Sequence, residues 1–472
     1  MFISTPTKPG NKTHILVVPF PAQGHMIPLI DFIHHLSTLT PTTTITILTT
    51  PKNLHLLTPL LTTTNNNIIP LILPFPATSS ASTPEHVQGL PPNAVRQFIP
   101  TLSLLLPSLR LWFESHPSPP TLIISDFFAG WMHRFAIEMG IKRVVFSPSG
   151  GFMLSLMYSL WTNMPKKRND DVQEDDVVLF RDVPNCPKYP WRQLSYMYRS
   201  YVEGDADSEF IKKCFIDDMA SWGLVVNSFD GLERVYLDHL MDVLGHDRVW
   251  AVGPLLSPRG IDSRGGSSAV DLDFISGWLD TCGDIKVVYV SFGTQALLST
   301  RQTEVVAEAL EASGIRFIWS VRDPLPTAGD DSVLHGFEDR VACRGMVIKG
   351  WAPQVAILKH KAIGTFFTHC GWNSILEGLI AGVGMLAWPM GADQYANATL
   401  IVDQLKVGVR VCEGPETVPD PNSLARIIAE SVNGDILDRK LIEKLHADCL
   451  EAVSENGSSS KALAQLVNKL TE

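Results

Sequence analysis

Short runs that are apolar throughout recur along the chain, each followed by a stretch whose apolar positions repeat at helical spacing. HILVVPF, from His14 to Phe20, is the first run, and IPLIDFIHHLSTL after it has the periodicity of an amphipathic helix. TITILTT (Thr44 to Thr50), TLIISDFF (Thr121 to Phe128) before WMHRFAIEMG, and RVVFS (Arg143 to Ser147) continue the pattern. A second series opens at KVVYVSFGT (Lys286 to Thr294), runs through a helix over Val305 to Ala312, and adds RFIWSVR, MVIKGWAP, AIGTFF (Ala362 to Phe367) and GMLAWP. Between the last two lies ILEGLIAG (Ile375 to Gly382), which reads as a helix. Strands apolar on both faces that alternate with helices build parallel sheets covered on both sides. The expected fold is therefore α/β, with two doubly wound, Rossmann-like halves.

The stretches Thr58 to Asn67, Ala77 to Pro92 and Lys166 to Val178 are polar, Thr/Asn-rich or highly charged and read as solvated loops. After a helix containing Leu232 to Leu244 and the run WAVGPLL comes SPRGIDSRGGSSAVD, whose Gly/Ser/Pro content reads as an interdomain linker. Domains are expected at 1–254 and 255–452, with a terminal amphipathic helix in 453–472.

Composition narrows the classes of function. A chain of 472 residues with 45% hydrophobic content can bury two cores, and a net charge of −11 disfavours a nucleic-acid partner. No apolar run reaches the roughly 18 residues of a membrane span, and MFISTPTKPGNKTH lacks the apolar core of a signal peptide. A cytoplasmic monomer is expected. The seven cysteines are scattered without a CxxC pair and read as reduced thiols. His369-Cys370 has no second Cys or His at zinc-ligand spacing, so no metal and no cofactor are expected.

Ligands of open parallel sheets bind beyond the carboxyl ends of the strands, where the sheet order switches. Gln23-Gly24-His25, Asp126, Ser291 to Thr294, Trp351 to Gln354 and His369 to Ser374 all follow a predicted strand. Backbone N–H groups at the helix start after Thr368 make an anion site. Each residue also has an ordinary reading. Trp351 after a strand is compatible with core packing, Ser374 and Glu377 form an S-x-x-E capping box, and a His in a turn is often a surface residue. Asp126, at the end of another strand, is placed to bond the far nitrogen of the His25 ring.

The segment from Trp351 to Gln394 resembles the signature box of plant UDP-dependent glycosyltransferases of secondary metabolism. The likeness rests on Trp351, Pro353-Gln354, His369-Cys370-Gly371-Trp372-Asn373-Ser374, Glu377, Pro389 and Asp393-Gln394, and extends to FPAQGH, SDFF, VNSF, VGPL and SFGT. It implies the GT-B architecture, two Rossmann-like domains facing a central cleft with the last helix returning to the first domain. It also implies a donor site in which Trp351 stacks on uracil, with Ala352 and Gln354 at its edge. Glu377 takes the ribose, His369, Asn373, Ser374 and Thr294 take the diphosphate, and Trp372 is counted among the donor-binding residues. Asp393, Gln394, Gly24 and Ser147 are assigned to the sugar, Gln394 pointing to UDP-glucose, while rhamnose, galactose and pentose donors stay open.

The resemblance assigns His25 as general base and Asp126 as its partner. One displacement inverts the anomeric carbon and yields a β-O-glucoside. Overall likeness is to the branch acting on flavonols and hydroxybenzoates, so a flavonoid acceptor is expected and a terpenoid alcohol stays open. Phe20, Phe127, Phe128, Trp131, Phe152 and Trp191 are candidates for its pocket, though each also suits the core. Two DxD tripeptides, Asp205-Ala206-Asp207 and Asp271-Leu272-Asp273, are the marker of a metal-dependent transferase, but their context suits helix caps. A nicotinamide dehydrogenase lacks support because PFPAQGH is not G-x-G-x-x-G. A binding protein that has lost its chemistry is the reading of another class.

Overall fold

The computed structural model describes residues 13–63, 67–76, 84–167, 176–256, 266, 268–294, 296–321 and 336–471. Among the described residues, nine strands precede the linker: β1 (His14–Val18), β2 (Thr44–Thr49), β3 (Ile68–Ile72), β4 (Leu122–Asp126), β5 (Lys142–Ser147), β6 (Val177–Leu179), β7 (Lys188–Pro190), β8 (Gly223–Val226) and β9 (Val249–Ala251). Seven of them form one parallel sheet in the order β3-β2-β1-β4-β5-β8-β9, and β6 and β7 pair separately as an antiparallel hairpin. After the linker come β10 (Val287–Ser291), β11 (Arg316–Val321), β12 (Gly345–Lys349), β13 (Ile363–Thr368), β14 (Gly384–Ala387) and β15 (Gly408–Arg410). These make a second parallel sheet in the order β12-β11-β10-β13-β14-β15.

In both sheets the chain winds outward in one direction, then returns to the centre and winds out in the other. The reversal falls between β1 and β4 in the first sheet and between β10 and β13 in the second. A crevice opens where neighbouring strands send their connections to opposite faces. Residues just past β1, β4, β10 and β13 are therefore the ones the topology delivers to ligand.

Each sheet is packed on both faces. Ile15, Val17, Ile45 and Ile124 face one cluster with Phe32 and Leu36 of the helix Gln23–Leu39, while Leu16, Val18 and Ile123 face another. Val288 and Val290 alternate with Val287 and Tyr289 in the same way across β10. The cluster holding Leu16 continues without a break through Phe229 and Tyr236 to Trp372, Ile375 and Cys449, so the two halves share an apolar seam. The final helix, Ser458–Thr471, lies against β9 and the helix Gln23–Leu39 of the first sheet. Its Leu466 is fully buried there, a contribution of about 1.5–3 kcal/mol.

Several expectations change. The Thr58 to Asn67 loop contains a helix, Thr58–Thr63, and is followed directly by β3. β3 escapes local reading because it carries Pro70 and exposes Ile69 and Ile72, features of an edge strand. Of the charged stretch 166–178, residues 168–175 lie outside the described residues and Val177 opens the hairpin. Residues 77–83 of the second loop and 257–265 and 267 of the linker also lie outside them. Among the described residues, no helix is long and apolar enough to cross a membrane.

Candidate active site

His25 is not in a turn, as expected, but in the first turn of the helix Gln23–Leu39, after the N-cap Ala22. Asp126 ends β4, the neighbour of β1 at the switch point, and this adjacency brings the two together. His25 Nδ1 and Asp126 Oδ2 are 2.8 Å apart, and the carboxylate is fully buried. Oδ1 accepts from the Phe128 N–H at 2.9 Å, capping the short turn Phe127–Ala129. With Asp126 on Nδ1, the neutral ring carries its proton there and keeps the Nε2 lone pair. The ring stacks on Phe128, with centroids 5.1 Å apart and planes at 22°, and touches Phe20 and Phe127 at 5.2 and 5.4 Å.

The loop carrying Asp126 is fastened from below by Arg143 of β5, which local sequence reading treated only as a strand residue. Its Nε donates to Ser125 Oγ at 2.8 Å and its Nη2 to the Ala129 carbonyl at 3.2 Å, on either side of the Asp126 turn. Nη1 donates to Ser221 Oγ at 2.8 Å, and Asp218 Oδ1 lies 2.8 Å from Nη2; both side chains are fully buried, and burial pushes the Asp218 carboxyl up to about 8 against the opposing charge of Arg143. A guanidinium with a paired carboxylate and three further acceptors is satisfied in the core, where an unpaired charge would not persist.

Across the seam, β13 leads through Thr368 to Gly371 into the helix Trp372–Ile380. Cys370 has φ +65°, a left-handed conformation unusual for a residue with a side chain. The helix cap is Gly371, so the S-x-x-E box is not formed: Ser374 sits in the first turn and Glu377 in the helix. Glu377 instead accepts from Gln354 Nε2 at 2.7 Å, and the same amide reaches Ser374 Oγ at 3.2 Å. Gln354 therefore joins the carboxylate rather than pointing away from it. Trp351 is half-buried, its carbonyl accepts from Ala269 N–H at 2.8 Å, and Gly266 approaches its ring so closely that a Cβ there would lie 3.0 Å from it. Ala352 is buried beside it.

His369 is held between two glycines. A Cβ on Gly293 would stand 2.6 Å from its Cε1, and one on Gly371 2.6 Å from its Nε2. Burial pushes its pKa down to about 4, so the ring is neutral at physiological pH. The unfolded ring, near 6.5, takes up a proton that the folded one refuses, so stability is full above that value and falls as pH drops from 6.5 toward about 4. Urea denaturation at pH 7 and pH 5 should show this loss, and His369→Gln should show less of it. Equal losses in the two proteins would discount the burial of His369.

The Trp372 indole requires a correction. It is buried in the seam, donates from Nε1 to the Asn227 carbonyl at 2.7 Å, and abuts Gly150, leaving only its backbone N–H for a ligand. Asn373 also bridges the halves, its Nδ2 donating to the Gly24 carbonyl at 2.9 Å, while the α-carbon of Gly24 faces open space. Thr294 is half-buried just past Gly293. Asp393 Oδ2 accepts from Ser149 Oγ at 3.1 Å and Asn397 Nδ2 at 3.0 Å. Burial pushes this carboxyl up, opposed by bonds from Asn397 and Ser149 and by attraction to the His25 ring when that ring is protonated. Gln394 Oε1 accepts from the N–H groups of Met390 and Gly391, which directs its Nε2 elsewhere as a donor.

Ser147, assigned to the sugar, is fully buried and bonded to its own turn, accepting from Ser149 N–H and donating to the Ser149 carbonyl. Ser149 is the hydroxyl that reaches the cleft. Of the aromatic candidates, Phe20, Phe127 and Phe128 gather at His25, and Phe98 joins them edge-on to Phe20 at 5.9 Å. Phe152 instead packs on Tyr236 at 4.5 Å, Trp191 on Tyr198 at 5.9 Å, and Trp131 is core. Both DxD tripeptides are helix caps: Asp205 accepts from Ser208 N–H and Asp271 from the N–H groups of Asp273 and Phe274. Among the described residues, no three His, Cys, Asp or Glu side chains gather as metal ligands.

Two parallel α/β halves joined across a shared seam, with a His-Asp pair at the switch point of one and a helix start at the switch point of the other, constitute the GT-B architecture. A model described as "UDP-glucoronosyl and UDP-glucosyl transferase" matches residues 273–420. The chain is 52% identical over 453 residues to flavonol 3-O-glucosyltransferase UGT89B1 of Arabidopsis thaliana, covering 95% of this chain and 94% of that protein. It is 50% identical to UDP-glycosyltransferase 89B2 of Stevia rebaudiana, covering 97% and 98% of the two chains. The crystal structure of Arabidopsis thaliana UGT89C1 complexed with UDP-L-rhamnose superposes with a TM-score of 0.80 at 38% identity, covering 98% of this chain and all of that one. The chain belongs to the UDP-glycosyltransferase family.

Proposed function

We propose that the protein transfers glucose from UDP-glucose to a hydroxyl of a flavonol, inverting the anomeric carbon to give a β-O-glucoside. The observation that carries the reading is the His25–Asp126 pair, whose ring is flanked by Phe20, Phe127 and Phe128. Nε2 removes the proton of the acceptor hydroxyl as its oxygen attacks C1, and Asp126 stabilises the imidazolium that forms. UDP leaves with its diphosphate received by His369, Asn373, Ser374, Thr294 and the open N–H groups of the helix start. Trp351 stacks on uracil with Ala352 and Gln354 at its edge, Glu377 holds the ribose, and Asp393 with the Gln394 amide brackets the hexose hydroxyls. No metal takes part, and activity is expected to survive excess EDTA unchanged.

Glucose and a flavonol are favoured by the relative at 52% identity named for that reaction. A rhamnosyl donor is the second reading, because the similar UGT89C1 structure holds UDP-L-rhamnose. The protein is taken to act in the cytoplasm as a monomer, divided into domains at 1–254 and 255–452 with 453–472 returning to the first. Purified protein should be offered UDP-glucose, UDP-galactose, UDP-rhamnose and UDP-xylose with a panel of flavonols, hydroxybenzoates and terpenoid alcohols, and products located by NMR. Faster turnover with another donor would overturn glucose, and no turnover of any phenol would overturn the acceptor class.

A further inference from the structure

Ser149 lies in the turn between β5 and the helix Gly151–Asn163, and its hydroxyl crosses the seam to Asp393 Oδ2 at 3.1 Å. Asn397 Nδ2 donates to the same oxygen at 3.0 Å. Two protein donors on Oδ2 restrict rotation of the carboxylate and leave Oδ1 outside these two bonds. One of these donors comes from the first half of the molecule and the other from the second.

The turn that carries Ser149 is itself anchored by a buried carboxylate that the transfer chemistry does not use. Glu233 accepts from the Gly151 N–H at 2.9 Å, from the Phe152 N–H at 2.8 Å, and from the Ser228 hydroxyl. Those N–H groups open a helix, where negative charge is favoured. Glu233 departs from helical geometry inside Asp230–Leu244, with φ −138° and ψ 23°. A Cβ on Gly150 would meet Glu233 Oε2 at 2.5 Å and the Trp372 ring at 2.6 Å, so carboxylate, turn and donor-helix indole converge on one glycine.

We propose that Ser149 is a positioning residue for the sugar of the donor: it orients Asp393 from across the seam, and Glu233 holds the turn that presents it. The inference rests on the assignment of Asp393 to the hexose. The sugar-binding carboxylate is then fully ordered only when the two halves are docked, while the uracil, ribose and diphosphate contacts are made without Ser149.

The test compares Ser149→Ala, Ser149→Thr, Asp393→Asn and the Ser149→Ala/Asp393→Asn double variant. UDP is titrated by calorimetry, and UDP-glucose by steady-state kinetics. Ser149→Ala is expected to raise KM for UDP-glucose about fivefold to tenfold, less than the loss of a direct hydrogen bond to a charged group because Ser149 acts through Asp393, with the Kd for UDP within about twofold. Ser149→Thr, which keeps the hydroxyl, should restore KM, and the double variant should be no worse than Asp393→Asn alone. A raised KM in Asp393→Asn with none in Ser149→Ala would overturn the inference and leave the Asp393 assignment standing. Additive losses, or equal losses of UDP and UDP-glucose, would also overturn it. An unchanged KM in Asp393→Asn would instead remove Asp393 from the sugar site, and the inference with it.

Discussion

Replacing His25 with alanine is expected to cut turnover by about 10² to 10⁴ while binding of UDP-glucose stays within about twofold. The size follows from what the ring does. A phenol or alcohol must lose its proton as C1 is attacked, and Nε2 is the acceptor that the Asp126 bond leaves free for the task. On the proposed assignment the uracil, ribose and diphosphate contacts come from the second half, so donor binding should be spared. Asp126→Ala should cost less than His25→Ala, since the ring keeps its aromatic walls at Phe20, Phe127 and Phe128 and loses only its orientation and counter-charge. Steady-state kinetics together with calorimetric titration of UDP-glucose separate the two effects. Unchanged kcat in His25→Ala would remove the ring from the mechanism.

Glu377→Ala is expected to act on the other side of the balance, weakening UDP and UDP-glucose alike by about tenfold to a hundredfold with a smaller change in kcat. Hydrogen bonds to a charged group contribute roughly 1.5–3 kcal/mol, and a buried carboxylate that receives two ribose hydroxyls commits that much to every uridine ligand. The variant also leaves the Gln354 amide without its 2.7 Å partner. Because Gly371, not Ser374, caps the helix, no cap is lost, and the thermal midpoint should fall only modestly. Glu377→Gln should recover part of the affinity. UDP affinity within twofold of the parent in Glu377→Ala would refute the ribose assignment.

Local pattern carried the fold a long way. The apolar runs at His14, Thr44, Leu122, Val287 and Ile363 are strands because only a doubly covered parallel sheet accommodates them, and the residues just past them are where a ligand would lie. What a linear pattern does not contain is strand order. β1 and β4 are far apart in sequence, and their adjacency, which places Asp126 against His25, depends on long-range pairing. Ser374 and Glu377 illustrate a second gap. Their spacing satisfies a capping rule, yet the helix begins earlier, at Gly371, whose φ of −61° and ψ of 143° suit a cap, and Gln354 engages both side chains instead.

Residues that act across the seam were the hardest to read. Trp372 has the same identity whether its ring meets a nucleotide or Asn227, and only the partner domain decides. Ser147 and Ser149 differ by two positions in one turn, and the bonds within that turn determine which hydroxyl is available. Arg143 has the pattern of an ordinary strand residue, but Ser125 and Ala129 from one part of the chain and Asp218 and Ser221 from another converge on it.

The return of the last helix to β9 gives the molecule two covalent crossings between its halves, one after Leu255 and one after Ala452. A single tether would let one half swivel in any direction relative to the other. Two tethers define a line, and motion that strains neither is rotation about it. The halves are therefore joined at two points of the chain, and any separation of them would break the contacts from Ser149 to Asp393 and from Asn373 to Gly24 together.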